Sequence, residues 1–277
     1  MKRERKKKIG KIIVFITLTV ISLLILTPFF WMLSSSLKTD IEVFNIPFEW
    51  IPSQPEWRNY IEIWTAIPLI TYFRNTIFLT VVITFLQLLT SSFAAYGFSK
   101  MKFKGRDSLF LLYIGTIAVP WQAFMIPQFI LMRNLGLTNT LWALVMLQAF
   151  SAFGVFLMRQ SYLSIPEELS EAARIDGLSE YGIYFRIILP LVKPALATLA
   201  ILTMTFVWND FMGPFIYLSS RELFTIQIGL RQFIGQFSAQ YALIMTGSVL
   251  SVVPIALVFL FAQKYFIEGI ASSGVKG

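Results

Sequence analysis

The sequence contains no cysteine and no histidine. Their absence excludes disulfides, thiolate nucleophiles, imidazole metal sites, histidine ligation of haem and every triad that needs an imidazole base. Charge is scarce as well: 14% of the 277 residues are Asp, Glu, Lys or Arg, against roughly 25% in a soluble domain. No G-x-x-x-x-G-K-[ST] phosphate loop, no internal repeat and no low-complexity segment occurs in the chain. What the sequence does have is apolar surface, with 56% hydrophobic residues and 27 Phe among them. A soluble fold of that composition would expose large apolar patches and aggregate, so lipid is the solvent that suits it. The net charge of +8 does not indicate nucleic acid, because the charges cluster between long uncharged runs.

Those uncharged runs are Ile12–Leu37, Asn75–Ser99, Ser108–Met132, Asn134–Met158, Pro194–Asn209 and Gln232–Gln263. A hydrocarbon core of ~30 Å requires about 20 apolar residues in a helix rising 1.5 Å each. The first four runs exceed that length unaided. The fifth continues past Asp210 to about Leu218, and the apolar part of the sixth is Ala242–Ala262. The expected fold class is therefore all-α, a polytopic membrane protein with six transmembrane helices. The basic start, Met1–Lys8, leads into a run too long for a signal-peptide core, which points to an uncleaved first helix. Lys and Arg divide seventeen to six between alternate sides of these runs. The positive-inside rule then places both termini in the cytoplasm. The loop Lys38–Arg74 is external; it holds Pro47, Pro52, Pro55 and Pro68 with Trp50, Trp57 and Trp64, a composition that suits an ordered cap with interfacial aromatics. Three regions follow: 1–70 (basic terminus, first helix and external loop), 71–263 (transmembrane core) and 264–277 (cytoplasmic tail).

The cytoplasmic loop 159–193 carries the most local information. Ser164 with Glu167 three positions on has the spacing of a capping box, and Pro166 falls in the first turn. Glu167, Glu168 and Glu171 suit the positive end of a helix dipole. Gly177 is the natural left-handed residue after a helix end. These signals predict a short helix from Ile165 to Asp176. Leu169, Ala172, Ala173 and Asp176 share one face at i, i+3, i+4, i+7 spacing, and the two alanines leave room for a partner's backbone. A second helix is expected from Ser179, broken at Pro190.

Glu171-Ala172-Ala173, Gly177 three residues on, then Ile187 and Leu189-Pro190 after nine more resemble the EAA loop of permeases from binding-protein-dependent ABC importers. The likeness extends over Tyr72–Gln263. In that family the loop helix docks in a cleft of the nucleotide-binding subunit and transmits its motion. The resemblance thus implies an ATPase-coupling role for Glu171, Ala172, Ala173, Asp176, Gly177, Leu189 and Pro190. Trp208-Asn209-Asp210-Phe211 with Pro214, and the ending Gly269–Gly277, are similar to the MalG-like subunits of the carbohydrate uptake group. Such subunits work with a second MalF-like permease, a dimer of ATP-binding subunits and an extracytoplasmic solute-binding protein. They import sugars, oligosaccharides or related polyol and glycerol phosphate compounds across a bacterial or archaeal cytoplasmic membrane. The resemblance implies a non-catalytic chain that binds no cofactor, with ATP and Mg used by the partner ATPase.

Asp210 is the acidic residue well inside an apolar run, and intramembrane carboxylates mark functional sites by default. About 25 Å of helix separates it from Lys193, which puts it near the external face. Asn209 and Asp210 are candidates either for the translocation pathway or for a contact to the second permease. Pro120, Trp121 and Gln122 interrupt the third run. Two competing functions are a secondary transporter or channel for a small polar solute, and a membrane-embedded enzyme. The first lacks intramembrane ionisable groups and paired broken helices; the second lacks a catalytic constellation.

Overall fold

The structure is a computed structural model that describes residues 2–235 and 239–274, without the side chains of residues 2–7, 9 and 264–274. The side chains of the ending Gly269–Gly277 therefore lie outside the described residues. Among those described, the regular secondary structure is helical apart from one isolated antiparallel bridge, Ile234 with Ala239. It packs as two compact units, residues 1–67 with 230–253 and residues 68–229 with 254–277.

The first unit opens with α1 (Lys2–Ser35). Its apolar stretch Gly10–Ser35 buries none of its most hydrophobic window within the protein. A helix that is apolar all round has lipid or another subunit as its surroundings. A polar knot ends it. Asn59, on α2 (Asn59–Ala66), donates from Nδ2 to the carbonyls of Ser36 at 3.0 Å and Lys38 at 2.8 Å. The Ser36 and Tyr60 hydroxyls bond at 2.8 Å, and Lys38 is buried with its ammonium 3.7 Å from the Phe48 ring centroid. Asp40 Oδ1 accepts from the amide of Ala242 at 2.8 Å, satisfying an orphan donor in the first turn of the last helix. Trp50 and Trp57 stand exposed in the intervening loop.

The second unit is built on α3 (Leu69–Lys100). Then come α4 (Arg106–Gly115), two 3-10 turns, Thr116–Ala118 and Trp121–Ala123, and α5 (Met125–Asn134). Next are α6 (Leu141–Gln148), α7 (Ala152–Leu163), α8 (Glu167–Ile175), α9 (Glu180–Ile183), α10 (Leu189–Leu191), α11 (Lys193–Trp208) and α12 (Met212–Tyr217). α13 (Ile226–Arg231) and α14 (Tyr241–Gly274) complete the chain. α7 and α11 pack along α3. Gly154 lets them approach, because a Cβ there would collide with Ser91 Oγ of α3 and sit 3.3 Å from Leu199 Cδ1 of α11. One core cluster, with Tyr96, Met158, Tyr162, Ile183 and Tyr184, fills the end near the loop; another, with Leu79, Leu144, Val207 and Tyr217, fills the opposite end. In the first cluster Ser92 Oγ bonds both the Tyr162 and Tyr184 hydroxyls, at 2.7 and 2.6 Å.

Among the described residues, three helical stretches are long and apolar enough to cross a bilayer: Gly10–Ser35, Leu69–Lys100 and Tyr241–Gln263. The number rises to five if each of two bent pairs counts as one span, α6 with α7 at 40° and Glu180–Leu191 with α11 at 77°. The third apolar run, 108–132, meets no such test. Pro120 lacks an amide proton and holds Val119 in an extended conformation, so the run divides into short helices and turns. The break between α6 and α7 frees two carbonyls. Side chains of α3 satisfy them: Gln87 Nε2 donates to the carbonyl of Gln148 at 2.7 Å and Thr90 Oγ1 to that of Ala149 at 2.8 Å. Ser151 then caps α7, accepting from Gly154 N at 3.0 Å.

Candidate functional site

Two regions of the second unit combine exposed surface with specific polar geometry. The first is the loop helix α8. It runs Glu167–Ile175, two residues shorter at its start than the sequence predicts, with Pro166 as the capping position instead of lying in the first turn. The predicted capping box does not form. Ser164 Oγ donates to the Ser161 carbonyl at 2.8 Å, while the Glu167 carboxylate accepts from Lys100 at 3.3 Å and Arg174 at 3.5 Å. Charged partners outcompete the backbone for that carboxylate.

The helix end follows the sequence expectation. Gly177 has φ +81°, its amide donates to the carbonyl of Arg174 and that of Leu178 to Ala173, both at 3.0 Å. These are the two bonds of a Schellman cap. The face is less simple than the periodicity implies. Ala173 turns inward, 5% exposed, into the core cluster beside buried Ser170. Ala172 and Asp176 are exposed with Glu168, Leu169, Glu171 and Ile175, and Ile175 is 86% exposed. The two alanines therefore divide the work: one seats the helix and the other is presented. Leu189 packs against the core while Pro190 is exposed. The following helix starts at Glu180 with Ser179 accepting from Gly182 N at 3.3 Å. A π-helical turn over Tyr184–Ile188 precedes Pro190 and widens the backbone where its ring would clash. The break itself comes two residues later, at Val192.

An ion network that has no signal in local sequence ties this loop to α3. Lys100 Nζ, 4% exposed, donates to the Ile165 carbonyl at 2.7 Å and pairs with Glu167. Glu167 pairs with Arg174, Arg174 Nε with Glu180 Oε1 at 2.8 Å, and Tyr96 donates to Glu180 Oε2 at 2.8 Å. The hydrogen bond that Arg174 donates to Glu180, helped by Glu167, raises the pKa of the guanidinium above its ordinary value. Lys100 thus ties the end of α3 to the start of α8, and Arg174 ties the end of α8 to the start of α9, through charge-assisted bonds.

The second region is a cavity of about 810 Å³. The interrupted runs meet here: Trp121, Gln122 and Phe124 from the Pro120 break, Gln148 from the end of α6, and Asn209, Asp210 and Phe211 from the gap between α11 and α12. Asp210 is only partly buried. Its Oδ2 accepts from Gln148 Nε2 at 2.8 Å and its Oδ1 from Gly213 N at 3.1 Å, so it also caps α12. Asn209 is exposed, with Nδ2 bonded to the Thr205 carbonyl at 2.8 Å. Gln148, Gln128 and Tyr217 line the same space; sequence reasoning missed all three, Gln148 because its Asp210 partner lies far along the chain.

Comparison with known proteins places this geometry. Residues 87–272 match the family described as binding-protein-dependent transport system inner membrane component. The arabinooligosaccharides transport system permease protein AraQ of Halalkalibacterium halodurans is 41% identical over 227 residues, 82% of this chain and 81% of that one. The lactose transport system permease protein LacG of Rhizobium radiobacter is 30% identical, covering 97% of each chain. Among solved structures, a bacterial ABC transporter involved in the import of the acidic polysaccharide alginate superposes with TM-score 0.82 at 27% identity, over 95% of this chain and 98% of that one. The matched stretch takes in both the capped loop helix and the cavity, and the chain belongs to the family of binding-protein-dependent transport system inner membrane components.

Proposed function

We propose that this chain is a permease subunit of an ATP-driven ABC importer, moving a sugar, oligosaccharide or related polyol compound handed over by an extracytoplasmic solute-binding protein. The observation that carries this reading is family membership over 87–272, joined to a rigidly capped loop helix whose outer face is unoccupied by its own chain. The carbohydrate class is supported by the arabinooligosaccharide and lactose permeases it resembles. The chain crosses the cytoplasmic membrane of a bacterium or archaeon six times, with both termini inside. The interrupted segment 106–134 serves as one span, its broken middle lining the cavity, and the seventeen-to-six charge asymmetry orients the whole.

In this reading the exposed face of α8, with Leu169, Glu171, Ala172, Ile175 and Asp176, sits in a cleft of an ATPase dimer. The Lys100–Glu167–Arg174–Glu180 network passes ATPase motion to α3. A second MalF-like permease completes the pathway. The subunit itself makes and breaks no bonds; ATP and Mg are used by the partner.

The test is reconstitution. The purified chain alone should hydrolyse no ATP and support no uptake in vesicles. Uptake should appear with the second permease, the ATPase and the loaded binding protein. Concentrative uptake by this chain alone, driven by a proton or sodium gradient, would establish a secondary transporter instead.

A further inference from the structure

The junction between α3 and α4 alternates apolar and basic residues: Met101, Lys102, Phe103 and Lys104, all exposed. Met101 leaves α3 with extended backbone, ψ 146°, and Gly105, at φ +80°, turns the chain into α4. Phe103 rests against Phe98 of α3, ring centroids 6.3 Å apart, and is still 46% exposed. Lys102 and Lys104 form no ion pair or hydrogen bond among the described residues. The nearby acids are already engaged. Asp107 is shared by Arg106 and Arg159, each at 3.1 Å. On the far side of Lys102, Glu167 and Glu180 are held by Lys100 and Arg174. Lys102, Phe103, Gly105, Arg106, Asp107 and Ser108 line an open hollow of about 470 Å³. Beyond it Leu109 and Leu112, three residues apart on one face of α4, carry exposed apolar surface onward.

From this arrangement we propose that the α3–α4 junction is a docking site for an anionic phospholipid. The headgroup phosphate lies against Lys102, Lys104 and Arg106, and the acyl chains run along Phe103, Leu109 and Leu112. Lysine stems cover apolar surface while their ammonium groups stay in the headgroup layer, and an anionic membrane surface favours each base by about fivefold in binding. A free phosphate or soluble organic phosphate would meet the bases but leave the Phe103 ring and the leucines in water. A zwitterionic lipid would cover the apolar strip but bring a cation of its own to a basic hollow. A diacyl lipid of net negative charge satisfies both halves. The site must lie at the bilayer boundary, where α3 and α4 enter the membrane, and in this the inference rests on the transmembrane reading above.

The assembled transporter in phosphatidylcholine nanodiscs is given a small mole fraction of phosphatidylglycerol with a photoactivatable acyl chain, and labelled peptides are mapped by mass spectrometry. Residues 101–112 should be labelled. Unlabelled phosphatidylglycerol should compete, and glycerol phosphate at millimolar concentration should not. Lys102→Gln with Lys104→Gln should raise the mole fraction needed for half-labelling about 30-fold, two bases at about fivefold each. Lys102→Arg with Lys104→Arg should keep it near wild type. Equal labelling of the Gln variant, equal labelling by a photoactivatable phosphatidylcholine, or displacement by glycerol phosphate would each overturn the proposal. Labelling of the permease pair that vanishes when the ATPase binds would also overturn it, by giving this face to a protein partner. ATP-dependent uptake is scored separately: uptake without preferential labelling sinks the lipid site and leaves the importer, whereas preferential labelling with no uptake in any preparation sinks the importer and leaves the site.

Discussion

Replacing Gly177 tests the loop helix through backbone geometry alone. Its φ of +81° lies in the left-handed region, and a Cβ added there would meet no heavy atom within 4 Å. Packing therefore contributes nothing to the penalty, and what remains is the strain of holding an L-residue left-handed, about 1–2 kcal/mol. Asn tolerates that region best and a β-branched residue worst. α8 spans nine residues, too short to persist without its caps and tertiary contacts. Loss of 1–2 kcal/mol corresponds to roughly a 5–30-fold fall in the ratio of capped to frayed loop. If the capped loop is what docks, ATPase affinity should fall by up to that factor, in the order Gly, Asn, Ala, Val. The assay is equilibrium binding of labelled ATPase to the permease pair in nanodiscs, with membrane abundance of each variant as control. Gly177→Val binding as tightly as wild type would show that the cap plays no part in docking. Gly177→Asn failing as badly as Gly177→Val would refute backbone strain and point to side-chain bulk at the docking face.

Gly154→Val should force α7 away from Ser91 and Leu199 and cost about 1–3 kcal/mol of overpacking, read as a lower denaturation midpoint in detergent; an unchanged midpoint would contradict the close crossing. Gln87→Leu should leave the Gln148 carbonyl and the Thr203 hydroxyl, which bonds Gln87 Oε1 at 2.9 Å, without partners, a loss of about 1–3 kcal/mol that the same melt would register. Arg174→Ala removes two half-exposed ion pairs and should cost at most about 1 kcal/mol of stability, yet lower the ATPase response to loaded binding protein; full stimulation would remove the network from coupling. A reporter that works only in the cytoplasm should be active after Gly277, and one that needs export should be active within residues 49–56; the reverse pattern would invert the topology.

Local signals made part of the molecule legible. The Glu171–Gly177 spacing announced a helix and its left-handed stop, and both formed, because a cap is decided by residues within one turn. The long apolar runs located α1, α3 and α14 for the same reason. The face of α8 was not legible: Ala172 and Ala173 are equivalent by periodicity, and what separates them is the buried Ser170 that shares the inward strip with Ala173. The capping box failed through Lys100, 67 residues away from Glu167, a partner no local pattern reveals. Gln148 escaped notice in the same way, its Asp210 partner being 62 residues distant.

The departures from regular spans share a physical cause. Non-helical backbone within a bilayer survives only where protein covers it or where it borders a water-filled space. The breaks at Pro120–Phe124, after Gln148 and at Asn209–Phe211 would each be costly facing lipid. All three contribute lining residues to one cavity, and none of the lining comes from α1, α3 or α14. The unbroken helices satisfy their own backbone, so they can face lipid or serve as a packing axis, as α3 does. The broken ones cannot, and polar groups beside their interruptions, the Asp210 carboxylate and the Gln148 amide among them, line that cavity. The interruptions at Pro120 and around Asn209 therefore border one cavity, although the fifth apolar run, read from sequence alone, continues straight past Asp210 to about Leu218.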